Sequence, residues 1–417
     1  MIYLCDIDNF YASAECVFNP SWRGKPLIVL SNNDQVIVSL SKAAKLLGIK
    51  KFTPYYEAKH LCDLHNVIVC SSNYALYGAL SNRVMNCISQ FTEPFNSYVY
   101  SCDEIFLNLK CTKTEDYLEQ AHKIRRKVWK QIRLPISIGV GINTTMAKVA
   151  SHAAKKLPGY AGVCFIDNDE QRQSILSQMK TDDIWGVGAR TAKKIEALNI
   201  VNGLQLSQMS HRLARENFGV ELERAVLELN GYVGKYWDLI RADKIQIFST
   251  STLGRKTAKI EELSQAISQQ VESAAVKARS QGSYCSTMYV FASASNYDHS
   301  YQGFKSNYHF DVPTNDTCQL SKAASEIVNK LFRNGSQYYR VGVGLLNLTP
   351  VSKYQHDLFN QPANPNLMKI FDSINAAHGK GTIFNGARGI EQKWKMRREY
   401  LTPQYLTKWS DIPKVNC

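Results

Sequence analysis

Residues 98–109, YVYSCDEIFLNL, read as two strand-like halves that meet at Cys102-Asp103-Glu104. Acidic side chains at a turn are usually solvated, but this pair interrupts an apolar strand, where an unpartnered charge is costly. The chain start repeats the arrangement. MIYLCDIDNF, residues 1–10, carries a short apolar run, Ile2 to Leu4, that reaches a carboxylate at Asp6, as a buried strand ending at a site does. Asp8 lies two residues on and shares a strand face with Asp6. Carboxylates converging at strand ends suit Mg²⁺, a hard cation that takes oxygen ligands and leaves room for phosphates. Two such ions about 4 Å apart can activate an attacking hydroxyl and steady a leaving oxygen in phosphoryl transfer.

Outward from these strands, helices and strands interleave. A helix is predicted over Phe10–Val17, strands over Pro26–Leu30 and Val36–Val38 around the turn Ser31–Asp34, and a helix near Ser41–Gly48 that stops at its glycine. A charged amphipathic helix follows at 115–132. The β-branched run Ile136–Ile142 then leads into a helix, Thr144–Lys156, capped by Asn143 or Thr144. The region is α/β or α+β. Strands disappear over 168–235, where short helices alternate with glycines. Beyond a tether at 236–245, strands at 245–252, 284–293, 305–312 and 338–348 and helices at 261–280 and 318–333 give the order β-α-β-β-α-β, that of ferredoxin-like domains. Residues 350–417 are polar and basic and read as a tail with a small ordered element at its end.

The 417 residues exceed one ordinary core, so several domains are expected, and 44% apolar with 21% charged residues excludes wholesale disorder. The net charge is +14, from 50 basic and 36 acidic residues. Residues 246–417 hold +8 of it, 20 basic against 12 acidic, which points to a polyanionic partner. No apolar run reaches the roughly 18 residues of a membrane span. The acidic N-terminus has no basic n-region, so a cytoplasmic protein is expected. The eleven cysteines contain no C-x-x-C pair and read as reduced core thiols; His60, Cys62, His65 and Cys70 fit no standard zinc spacing.

Three further patterns carry chemistry. Lys42 and Lys45 share one helical stretch, with the Ser39 hydroxyl beside them, and Lys148, Lys155 and Lys156 share another; both are candidate phosphate contacts or solvated faces. IWGVGARTAKKI, residues 184–195, has the apolar-x-G-x-G signature of a helix-hairpin-helix. Gly186 and Gly188 would let backbone N–H groups approach a DNA phosphate, and Lys193 and Lys194 follow on the helix. Gln355-His356-Asp357-Leu358-Phe359 is either a docking peptide or a segment that packs back on its own domain.

CDIDNFYAS, the YSCDE junction, SIGVGIN followed by MAKVASHAAKK, and IWGVG together resemble the Y-family translesion DNA polymerases. SNND at 31–34, SSNYALY at 71–77 and the tail GTIFNGARGIEQKWKMRREYLTPQY resemble the UmuC type, the catalytic subunits of bacterial DNA polymerase V. The resemblance implies a multidomain α+β right hand. Its palm would take 1–15 and 75–167, its fingers 16–74, its helix-hairpin-helix thumb 168–235, a linker 236–245, a little finger 246–349 and a tail 350–417. It implies error-prone, template-directed transfer of dNTPs to a primer 3′-OH in SOS mutagenesis. Asp6, Asp103 and Glu104 would be the catalytic acids, holding two Mg²⁺ ions with the backbone carbonyl of Ile7, and Asp8 matches a position that is not a ligand. Tyr11 matches the steric gate against a ribose 2′-OH, with Phe10 beside it. Ser39, Lys45 and Lys155 match triphosphate contacts, and Lys42 with Lys45 stands where many relatives have a Tyr-x-x-Arg pair; lysine keeps the charge and loses the fork. Val36 and Val38 are larger than the Gly or Ala often found over the templating base. The resemblance also implies a β sliding clamp bound through Gln355, Leu358 and Phe359, a UmuD′-like accessory dimer, a RecA filament, and a bacterial nucleoid location.

Two other classes meet parts of this pattern. A catalytically silent relative would bind DNA and recruit partners, against which the intact acids argue. A palm-type cyclase or two-metal nuclease needs neither the helix-hairpin-helix nor the second basic domain.

Overall fold

A computed structural model of the chain describes residues 1–111, 113–235, 242–295, 303–354 and 365–413. Their contacts form two compact units. The first comprises Met1–Ser31, Gln35–Ile240 and Tyr400–Cys417, and the second Asn32–Asp34 and Arg241–Glu399.

The first unit is built on a five-stranded sheet. Its elements begin with β1 (Ile2–Ile7) and α1 (Phe10–Phe18), followed by β2 (Leu27–Leu30), β3 (Ile37–Leu40), α2 (Lys42–Leu46), α3 (Tyr55–Leu64) and β4 (Ile68–Ser71). Then come α4 (Tyr74–Ser89), β5 (Ser97–Val99), β6 (Glu104–Asn108), α5 (Thr114–Ile132), β7 (Ile136–Gly141), α6 (Thr144–Lys156) and β8 (Val163–Phe165). Strand order is β5-β6-β1-β7-β8, and β2, β3 and β4 make a separate three-stranded sheet. Every residue of β7 is buried, as its unbroken apolar reading requires. Its glycines admit α6 at close range: a Cβ on Gly139 would lie 2.1 Å from Ser151 N and 2.3 Å from Ala147 O. Asn143 is the cap of α6, its side chain accepting from Met146 N. The expected strand at 36–38 shifts to β3 because Val36 forms only an isolated bridge to Pro54. The expected helix at 41–48 shortens to α2, with Ser41 as its cap and Gly48 turning at φ 86°.

From 168 onward the first unit is helical, with α7 (Asp169–Gln178), α8 (Ala189–Glu196), α9 (Gly203–Ser207), α10 (His211–Phe218) and α11 (Val220–Leu229). The completely buried carboxylate of Glu228 on α11 accepts from the Thr144 hydroxyl, the N–H and hydroxyl of Thr145, and the N–H groups of Gly234 and Lys235. It therefore satisfies donors at the start of α6, which a helix cannot bond internally.

The second unit follows the expected order: β9 (Ile247–Thr257), α12 (Ile260–Gln281), β10 (Ser283–Ser293), β11 (Gly303–Thr314), α13 (Thr317–Leu331) and β12 (Tyr338–Pro350). All three pairings are antiparallel in the order β11-β10-β12-β9, so β12 lies between β9 and β10, and β10 between β11 and β12. The stretch read as a tail is anchored well before its end. It contains α14 (Pro365–His378), held by a two-pronged ion pair from Arg279 to Asp372 at 2.7 and 2.8 Å. Trp394 enters the core of the second unit, and Gly254 N donates to its carbonyl. Few apolar residues suffice here because backbone and ion-pair contacts do the holding.

Candidate active site

Asp6, on β1, stands in register with Glu104 on β6 and with Ser137 on β7. Asp103 precedes Glu104 at the start of β6 and ties the strands together by accepting at its carbonyl from Ile7 N, 2.9 Å. The acids cited as catalytic thus meet at the end of the central strand pair. Each carboxylate has its own partner. Lys155 Nζ lies 2.5 Å from Asp6 Oδ1, Lys148 Nζ donates to both oxygens of Glu104 at 2.9 Å, and the Ser101 hydroxyl donates to Asp103 Oδ1 at 2.5 Å. Burial is the main cause that pushes Asp6 up to about 7; Lys155 opposes it, and the negative charge of Glu104 and Asp103 adds to it. Among the described residues, no three His, Cys, Asp or Glu side chains converge as a ready-made metal cage. The donor set nevertheless fits a hard divalent cation: Asp6 feels the charges of Glu104 and Asp103, and the ammonium groups of Lys155 and Lys148 stand against Asp6 and Glu104.

In front of the acids is a cavity of about 340 Å³. Asp6, Ile7, Asp103, Phe10, Tyr11, Ser39, Lys45 and Lys155 are among the residues that line it. Val38 lines it too. Lys45 donates to Asn9 Oδ1 at 2.7 Å; burial, with Lys51 and Lys155 close by, pulls its ammonium below the ordinary lysine value. The Ser39 hydroxyl accepts from Ala12 N at 3.3 Å. Tyr11 stacks on Tyr77, with ring centroids 4.4 Å apart and planes 15° apart, and meets the edge of Tyr74. Asp8 turns to Ser137, whose hydroxyl donates to it at 2.8 Å.

Lys42 does not join this group. It lines a separate cavity of about 260 Å³ with Arg23, Lys25 and Arg133. In its place stands Lys51, which no motif singled out. Lys148, grouped in the sequence with Lys155 and Lys156 as a candidate phosphate contact or solvated face, pairs with Glu104, which only the packing of α6 near β6 reveals. Its ammonium also lies 4.4 Å over the Tyr100 ring and 5.3 Å over Trp185. In the hairpin, Gly186 adopts φ 92° and Gly188 caps α8, while Lys193 and Lys194 are exposed. Gln355, Leu358 and Phe359 lie outside the described residues.

The impB/mucB/samB family matches residues 5–152, its C-terminal domain matches 244–358, and a domain of unknown function, DUF4113, matches 365–415. Protein UmuC of Salmonella typhimurium is 35% identical over 423 residues, covering 100% of both chains, and protein SamB of the same species is 36% identical over 99% of each. The chain belongs to the UmuC-type Y-family DNA polymerases.

As a UmuC-type polymerase it is a DNA-directed DNA polymerase of the translesion class. DNA polymerase IV of Oceanobacillus iheyensis is a more distant relative, 29% identical over 65% of this chain and 64% of its own. A Y-family polymerase chimera of Dbh and Dpo4 shares the right-hand fold at a TM-score of 0.64, with 22% identity, over 84% of this chain and 99% of that one. A divalent metal is the cofactor that membership of the UmuC-type family implies.

Proposed function

We propose that Asp6, Asp103 and Glu104 are the catalytic acids of template-directed nucleotidyl transfer, in which a primer 3′-OH attacks the α-phosphorus of a dNTP and pyrophosphate leaves. The observation that carries this reading is the register of Asp6 with Glu104 beside a cavity that also holds Asp103, Tyr11 and Lys155. With the Ile7 carbonyl, these acids would hold two Mg²⁺ ions, which when bound supply charge neutralisation and activation of the hydroxyl. Lys45, Lys51 and Lys155 bring positive charge to the triphosphate, and Ser39 offers a hydroxyl. Phe10 and Tyr11 face the sugar, where a ring excludes a 2′-OH. Catalysis is then mostly positioning and electrostatics.

The assignment of palm, fingers, thumb, linker, little finger and tail to the sequence ranges above is part of this proposal. Gly186, Gly188, Lys193 and Lys194 would grip duplex through its phosphates, independently of sequence. One structure with a similar fold, at a TM-score of 0.54, is an insertion ternary complex of Dbh DNA polymerase. A role in SOS mutagenesis, and work with a UmuD′-like dimer, a RecA filament and a β clamp, rest on the family resemblance.

Primer extension on damaged and undamaged templates tests the reading, with and without accessory dimer, activated RecA and clamp. Wild type extends and Asp103→Ala does not, while both bind primer-template alike. No extension by wild type under any condition, with DNA binding intact, would return the chain to a silent scaffold.

A further inference from the structure

Two motifs of the sequence that catalysis does not use, SSNYALY at 71–77 and the tail ending in LTPQY at 401–405, meet in the first unit. Ser71 N donates to the Tyr400 carbonyl at 2.9 Å, and Tyr400 N donates back to Ser71 Oγ at 2.9 Å. Asn73, fully buried, donates to Thr402 O and Thr402 Oγ1 at 3.1 Å and to Pro403 O at 3.2 Å. The same Asn73 caps α4 by accepting from Leu76 N. The Tyr405 ring then stacks on Phe18 of α1 at 4.6 Å, and its hydroxyl accepts from Asn19.

Both helices held this way carry the gate. α1 bears Tyr11, and α4 bears Tyr74 and Tyr77, on which the Tyr11 ring rests. α1 also bears Glu15, which has no exposed surface and meets Tyr77 of α4. Its Oε1 accepts from the Tyr77 hydroxyl at 2.6 Å, and the Thr402 side chain lies close enough to act on the carboxyl. A buried carboxyl with so few partners depends on each of them to stay in place. The route from tail to gate is therefore short: Thr402 to Asn73 and Glu15, these to Tyr77, and Tyr77 to Tyr11.

We propose that residues 400–405 of the C-terminal segment are a positioning element for sugar selection, fixing through Asn73 and Glu15 the aromatic stack that supports Tyr11. The proposal rests on the polymerase reading and gives part of the domain of unknown function a task in it. Thr402, Asn73 and Glu15 touch no nucleotide; they act through Tyr77.

The test compares the full-length protein, with the accessory proteins that support extension, as wild type, Thr402→Val and Glu15→Gln. Incorporation of dATP and ATP opposite thymine is measured for each, with Tyr11→Ala as the open-gate reference. Each variant is expected to lose about tenfold in the dATP-to-ATP ratio of kcat/KM, with kcat for dATP within about twofold of wild type. Unchanged ratios alongside a lowered Tm would overturn the proposal and leave the segment a purely structural strap. Glu15→Gln keeps the side-chain volume, so the question stays open to measurement even where Thr402→Val fails to fold. If wild type extends no primer, the polymerase reading has failed, and the proposal is decided by binding alone. Thermal shifts by dATP and by ATP with Mg²⁺ then differ in wild type and converge in the variants, or the proposal falls.

Discussion

Lys155 Nζ lies 2.5 Å from Asp6 Oδ1 and 3.8 Å from Asp8 Oδ1, so one ammonium group neutralises the acid at the centre of the site. It also lines the cavity in which a triphosphate would sit. A cation placed to exchange one anion for another contributes to nucleotide binding and to the transition state together. Lys155→Ala should lower kcat/KM for dNTP by about a hundredfold, and Lys155→Arg should recover only part of that, because the fork cannot reproduce a point charge. Steady-state single-nucleotide insertion measures both.

Asp6 makes the metal-free protein pH-sensitive. Its folded value, pushed up to about 7, exceeds the unfolded carboxylate value of about 4. Between those values the folded protein holds a proton that the unfolded chain has lost, so this group's contribution to stability falls as pH rises. Asp6→Asn should therefore raise the Tm of metal-free protein by about 3 °C at pH 8 and by less at pH 5, while abolishing extension. Calorimetry at the two pH values decides it; an equal gain at both would show that ionisation is not the cause.

Glu228 supports α6, which carries both Lys148 and Lys155. Glu228→Gln replaces one acceptor oxygen by an amide facing N–H and O–H donors. The cost should be about 3 kcal/mol of stability, read by denaturant unfolding, with a loss of dNTP affinity as the helix start loosens.

Lys193 and Lys194 are exposed on α8 behind the hairpin glycines. If they neutralise phosphates, each alanine substitution should reduce the slope of log K against log salt by about 1 and weaken binding alike on all sequences. A slope equal to that of wild type would assign these lysines to a solvated face.

The order of elements was legible in the chain because burial writes itself locally. The unbroken apolar run of β7, the alternation over 245–348 and the interrupting acids at 6 and 103–104 are each readable within a dozen residues. Gly139 was legible only as part of a motif; the Ser151 backbone 2.1 Å from a Cβ position explains it. What the sequence could not contain was which distant segments meet. The register of Asp6 with Glu104, the exclusion of Lys42 and inclusion of Lys51, and the pairing of Lys148 with Glu104 all depend on how strands and helices pack. The polar C-terminal stretch is the clearest case. Its few apolar residues predict a tail with only a small ordered element at its end, and that Thr402 is held by Asn73, 329 residues earlier, rests on hydrogen bonds that leave no periodicity to read. Local pattern determines which segments are strands and helices; only closure of the long loops between them decides which side chains share a site.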